Sequence, residues 1–275
     1  MLPIRLVALD LDGTVFDDQK RISPRTLAAI QAALEQGVLV LPATGRNLRG
    51  VPKEFLEMPG VRYALTSNGA TVSEIATGRR LVNLPFDPAQ AEIIYDAVKP
   101  YDCMMSIFIE GDAYTSRENA AHTEEYTPPE LLPYFRSSRH VVEDIHAVMR
   151  AHANGIEKFS ILYRDEATRD AAWAAATAAA PVEATTSVPL NLELNAPGVN
   201  KGRGLMALAQ ELGLVPEQVM ACGDSGNDLE MVRMAGMGVA MGNATDPVKA
   251  VARYITADNN HDGVAEAIER FVLNR

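Results

Sequence analysis

The chain has 275 residues, 47% hydrophobic and 22% charged, which is enough for about two domains with ordinary buried cores and excludes a disulfide-held miniprotein or long-range disorder. Its 25 Lys and Arg against 36 Asp and Glu leave a net charge of −11. Such a surface argues against nonspecific binding to nucleic acid or an anionic membrane, because phosphate contacts need clustered basic residues.

The apolar run Ile4–Leu9 predicts a buried strand that ends at Asp10 and Asp12, too short for a secretory leader. Ser23 followed by Pro24 predicts a capped helix start, with Leu27, Ile30 and Leu34 at helical spacing and Gly37 as the stop. Val38–Pro42 and Tyr63–Thr66 predict further strands, and strand, helix and strand at this spacing form the βαβ pattern of a parallel sheet. In the middle, Asp87 and Pro88 open a helix to about Val98, and Met104–Ile109 with Ala113–Ser116 predict a hairpin around Gly111. Pro128, Pro129 and Pro133 mark a loop. A helix over Ile145–Ala153, a strand over Ile156–Tyr163, the alanine-rich helix around Trp173 and strands over Val182–Val188 and Leu190–Leu194 follow. The last third returns to alternation. Helices are predicted over Lys201–Leu212, Asp228–Ala235 and Val264–Val272, and strands over Val219–Cys222, Gly238–Met241 and Tyr254–Thr256. The expected fold is α/β: a Rossmann-like parallel-sheet core from residues 1–83 and 196–275, with an α/β domain, 84–195, inserted into it. Cys103 and Cys222 offer no disulfide framework, and no segment has the roughly 20 apolar residues of a membrane span. The expected location is the cytoplasm.

The chemistry gathers at strand ends, where open parallel sheets bind ligands. The first strand runs into Asp10-Leu11-Asp12-Gly13-Thr14. Side chains two apart on a strand point the same way, so Asp10 and Asp12 are expected to converge. Alone, an Asp-x-Asp-Gly stretch is an ordinary solvated turn. A calcium loop is excluded, since Thr14 and Val15 stand where it needs a further ligand and a glycine. Thr44-Gly45 closes the second strand with a hydroxyl and a backbone N–H suited to a phosphate oxygen. Lys201 opens a helix, where a cation and backbone donors together favour an anion. Gly223-Asp224-Ser225-Gly226-Asn227-Asp228 closes a later strand with more acids. Its Gly-Asp-Ser-Gly core is also found around serine-protease nucleophiles, but those enzymes are all-β and this tract lies in a parallel α/β pattern. The histidines show no metal spacing, and Met104, Met105 and Trp173 read as core.

Acids, a hydroxyl, a lysine and acids again, in this order, resemble the four motifs of the haloacid dehalogenase superfamily of phosphatases. More narrowly the chain is similar to the Cof-type branch, which carries an α/β cap between the second and third motifs. Supporting tracts are Ser67-Asn68-Gly69-Ala70, Val239-Ala240-Met241-Gly242-Asn243-Ala244 and Asp262-Gly263-Val264-Ala265. The resemblance covers about 1–83 and 196–275.

It implies a nucleophile at Asp10 and a general acid, then base, at Asp12. It implies Mg²⁺ held by Asp10, the Asp12 carbonyl and Asp224, with Asp228 as a nearby acid. It implies phosphoryl contacts from Thr44, Gly45, Asn227 and Lys201. A like-charge pair 4 Å apart costs about 4 kcal/mol at an effective dielectric of 20, so several carboxylates around a phosphate need cations between them. Arg46, Asn68, Glu193 and Asn195, near the joins between core and insert, are candidates for the rest of the substrate. The expected substrate is a small phosphate monoester, a sugar phosphate or a phosphorylated cofactor. A phosphomutase on the same scaffold and a non-catalytic ligand-binding protein are the alternatives. Monomer and homodimer both stay open.

Overall fold

The computed structural model describes residues 2–188 and 190–274. The chain divides into two compact units, one formed by residues 1–45, 51–83 and 200–275 and the other by 46–50 and 84–199.

In the first unit the strands are β1 (Leu6–Leu9), β2 (Leu39–Pro42), β3 (Tyr63–Thr66), β4 (Thr71–Glu74) and β5 (Arg80–Asn83). The second unit contributes β6 (Cys103–Ile109), β7 (Asp112–Ser116), β8 (Arg139–Val142), β9 (Ile156–Tyr163), β10 (Glu183–Thr185) and β11 (Asn191–Asn195). The first unit resumes with β12 (Val219–Gly223), β13 (Met237–Ala240) and β14 (Tyr254–Ile255).

Five strands form a parallel sheet in the order β14-β13-β12-β1-β2. Every residue of β1 is buried, as expected of an apolar strand flanked on both sides and covered on both faces. Leu9 pairs with Pro42 on one side and with Cys222 on the other. This register delivers Asp10, Thr44 and Asp224 to the same carboxyl-terminal edge.

The first helix, Pro24–Glu35, has Ser23 as its cap, accepting from Thr26 N, and Pro24 in its first turn, where a missing N–H costs nothing. Asn200 caps the helix Lys201–Glu211 by accepting from Arg203 N. A Cβ at Gly204 would lie 2.7 Å from the Gly69 backbone, so this helix is pressed against the segment after β3.

Strand β3 heads a three-stranded antiparallel sheet, β3-β4-β5, and also runs parallel to the end of β2 through the Ala43–Leu65 bridge, next to which Thr44 N–H donates to Leu65 O and Asn68 N–H donates to Thr44 O. In the second unit a six-stranded sheet runs β10-β11-β9-β6-β7-β8. Two expectations change there. Pro133 does not sit in a loop: it occupies the first turn of the helix Leu132–Ser138, where proline is tolerated. The strand expected over Val182–Val188 stops at Thr185, because Asn191 Oδ1 accepts from the Thr186 hydroxyl, Ser187 N and Val188 N and folds the chain into a turn. Among the described residues no helix is long and apolar enough to cross a membrane.

Candidate active site

Residue 10 leaves β1 buried, with its carboxylate turned to a buried lysine. Lys201 Nζ donates to Oδ1 of Asp10 at 2.6 Å and to Oδ1 of Asp228 at 2.6 Å, and the lysine side chain is fully enclosed. Oδ2 of Asp228 accepts from the backbone N–H of Asp224 and of Ser225, at 3.0 and 3.1 Å. Asp228 thereby ties its own loop to the lysine. A Cβ at Gly223 would collide with the Asp228 side chain, so only glycine fits ahead of Asp224.

Asp224 is held from the other motif. The Thr14 hydroxyl donates to its Oδ1 at 3.0 Å, across 210 residues of sequence. Gly13 lies between, with φ +83 and no room for a side chain, since a Cβ there would stand 2.6 Å from Asp224 Oδ2. Asp10, Asp224 and Asp228 each offer a carboxylate oxygen within 4.8 Å of the others.

These charges perturb one another. Burial, then the neighbouring Asp228, raises Asp10 well above the usual carboxylate range, although Lys201 opposes the shift. Burial and Asp228 likewise push Asp224 up to about 7, against Thr14 and Lys201. Burial favours loss of the Lys201 proton, but Asp10 and Asp228 outweigh it and hold the ammonium above its ordinary value. Three carboxylates thus share one cation. An all-oxygen donor set with an excess of negative charge fits a hard divalent ion such as Mg²⁺, which takes one or two carboxylates and keeps waters.

Asp12 is placed differently from Asp10. The strand itself ends at Leu9. The Asp12 carboxylate pairs with Lys20 at 2.9 Å, partly exposed, and its charge also acts on Asp224.

Around the acids stand the polar residues. Thr44 is buried; its N–H donates to Leu65 O and its carbonyl accepts from Asn68 N, with Gly45 next in the chain. Asn68, buried at φ 57, accepts through Oδ1 from Asn227 Nδ2 at 3.1 Å, while Asn227 Oδ1 accepts from the Ser225 hydroxyl. The candidates Arg46, Glu193 and Asn195 belong to the second unit. There Arg46 donates to Gly50 O and lies over the Tyr134 ring, Glu193 pairs with Lys158 at 2.8 Å, and Asn195 donates to Glu157 O.

Thr14, Lys20 and Lys158 were not singled out from sequence. Thr14 had a visible signal, since it directly follows the turn glycine of an acid motif.

Residues 7–268 match the profile of a family described as haloacid dehalogenase-like hydrolase. Over 273 residues the chain is 31% identical to the 5-amino-6-(5-phospho-D-ribitylamino)uracil phosphatase YcsE of Bacillus subtilis, covering 98% of this chain and 96% of that protein. It is 26% identical to the pyridoxal phosphate phosphatase YbhA of Escherichia coli, covering 96% and 97%. The solved structure of a haloacid dehalogenase-like hydrolase from B. subtilis superposes with a TM-score of 0.83 at 26% identity, covering 97% of this chain and 99% of that one. With the acid motifs at one sheet edge and the profile running through nearly the whole length, the chain belongs to the haloacid dehalogenase-like hydrolases, among the phosphatases of the Cof-type branch.

Proposed function

We propose that this chain hydrolyses small phosphate monoesters with a bound Mg²⁺ and an aspartyl-phosphate intermediate on Asp10. One observation carries the reading: three carboxylates converge within 4.8 Å beside a single buried ammonium. Repulsion of that kind is unfavourable in a site that binds nothing, and it suits one completed by a cation and a phosphoryl group. Asp10 and Asp224, with the Asp12 carbonyl, would hold the ion. Both oxygens of Asp228 already accept protein hydrogen bonds, so it acts from behind or through water. When bound, the ion offsets the carboxylates and polarises a phosphoryl oxygen.

The chain's own residues then act in two steps. An Asp10 oxygen attacks phosphorus as the ester P–O bond breaks, and the leaving oxygen takes a proton from Asp12. Water next attacks the phosphorus of the acyl phosphate, Asp12 takes its proton, and inorganic phosphate departs with Asp10 restored. Thr44, Gly45, Asn227 and Lys201 steady the phosphoryl oxygens. Asn68, bonded to Asn227, supports that set.

We further propose that the insert over 84–195 acts as the cap and reads the leaving group. On one face of its sheet Ser106 pairs with Ser160 and Ser160 with Glu193, and in the next row Phe108 pairs with Lys158 and Lys158 with Asn195. Hydroxyls, an amide and a neutralised carboxylate suit a polyol or a polar cofactor better than an apolar group. The B. subtilis and E. coli relatives are named for phosphoribityl and pyridoxal phosphate substrates, and Arg46, Glu193 and Asn195 are our contacts for such groups.

A panel of sugar phosphates, phosphoribityl compounds and pyridoxal phosphate, assayed for free phosphate with Mg²⁺, tests the reading. Turnover should vanish in Asp10→Asn and, reversibly, in EDTA. Activity that survives either treatment overturns it. Transfer within the substrate without phosphate release would establish a mutase instead.

A further inference from the structure

The segment that follows Asp12 is gripped by two loops from the far end of the sequence. Asn243 Nδ2 donates to Gly13 O at 2.9 Å. Asn259 donates through its backbone N–H to Asn243 Oδ1 at 3.2 Å, and through Nδ2 to Phe16 O at 3.0 Å and Asp18 Oδ1 at 3.1 Å. Asn260 and Asp18 exchange two further hydrogen bonds, at 3.1 and 3.2 Å.

The grip bears on the acid motif itself. Phe16 N–H donates to Leu11 O, Val15 N–H donates to Asp10 O, and Asp12 forms an isolated bridge with Phe16. Phe16 is therefore bonded on one side to the backbone beside Asp12 and on the other to Asn259. Neither Asn243 nor Asn259 belongs to the apolar core; Asn243 donates to a carbonyl of this segment, and Asn259 to a carbonyl and a carboxylate of it. Asp12 sits partly exposed past the end of β1, and its side chain is held by Lys20 on the same segment. β1 itself stops at Leu9, and contacts beyond the strand bear on where the acid stands, because a general acid must lie within hydrogen-bond reach of the leaving oxygen.

We propose that Asn259, acting with Asn243, is a positioning residue that locks the loop after β1 so that Asp12 meets the leaving-group oxygen. The proposal rests on the phosphatase reading above, in which Asp12 supplies the proton.

Asn259→Asp keeps the shape and removes the donors to Phe16 O and Asp18. The test compares kcat/KM for an alkyl phosphate, whose leaving oxygen needs a proton, with that for p-nitrophenyl phosphate, whose phenolate departs without one. This ratio covers the steps up to departure of the leaving group, so hydrolysis of the phospho-enzyme does not enter. A displacement of the acid on the ångström scale predicts a loss of about 10–100-fold for the alkyl ester and little change for the nitrophenyl ester. Asn243→Ala supplies the same comparison from the other grip if Asn259→Asp folds poorly, and a thermal melt records folding for each variant. Equal losses on both esters, or no loss on either, overturn the proposal while the wild-type phosphatase reading stands. Turnover that survives Asp10→Asn overturns that reading instead, and this proposal with it.

Discussion

Lys201 and Asp10 meet at 2.6 Å with the lysine side chain shut off from solvent. The same ammonium reaches Asp228, so its removal strands two buried carboxylates at once. Lys201→Met should cost about 3–5 kcal/mol of stability, the usual penalty for breaking a buried pair from one side. Thermal melts at pH 5 and pH 8 check this. The deficit should shrink as the pH falls, because burial and Asp228 already favour the protonated form of Asp10.

Asp10→Asn should separate stability from activity. Turnover should fall at least about 1,000-fold if this carboxylate is the nucleophile. The metal-free variant should melt above the metal-free wild type at pH 8, because the replaced group is one whose charged form burial and Asp228 disfavour. Parallel melting curves and phosphate-release assays on both proteins measure the two effects.

The pH dependence has a definite sign. Asp224 is raised from 3.8 to about 7, and Asp10 moves in the same direction. The folded, metal-free protein therefore binds more protons than the unfolded chain over this interval. Its stability should fall as the pH rises from about 4 through 7. Ligation by a divalent ion requires the deprotonated acids, so Mg²⁺ should raise the melting temperature more at pH 8 than at pH 5. A flat pH response, or a larger Mg²⁺ effect at pH 5, contradicts the cluster as described.

In the second unit Lys158 and Glu193 form a buried pair at 2.8 Å. Glu193→Ala takes the paired carboxylate away from a buried ammonium and should destabilise by about 3–5 kcal/mol, while Lys158→Met combined with Glu193→Leu should recover much of that loss. Denaturant melts of the two variants decide it. If this face reads the leaving group, the double variant should also raise KM for a polyol phosphate far more than for p-nitrophenyl phosphate.

Local signals carried most of the element positions. Ser23-Pro24, Asp87-Pro88 and Asn200 are caps that act within a few residues, and each marks the start of a helix. Tyr63–Thr66 and Ile156–Tyr163 are strands at the expected positions. What escaped depends on partners distant in sequence. Strands β4, β5 and β8 are short and bear polar residues, so their pairing rather than their pattern makes them strands. The link between Thr14 and Asp224 and the grip of Asn243 and Asn259 each span more than 200 residues, and no local periodicity encodes them. Asp12 lies past Leu9, where the strand stops, so the alternation rule alone does not fix where its side chain points.

The position of β1 in the sheet also bears on how the molecule is made. Its neighbour β2 follows within a few dozen residues, but its other neighbour, β12, is Val219–Gly223. Until the ribosome has released that stretch, one side of Leu6–Leu9 exposes unpaired backbone and apolar side chains, a template for aggregation. The second unit is complete in sequence before then and can fold while β1 waits, so chaperone dependence in this protein should concentrate on nascent chains that end between the two halves of its parallel sheet.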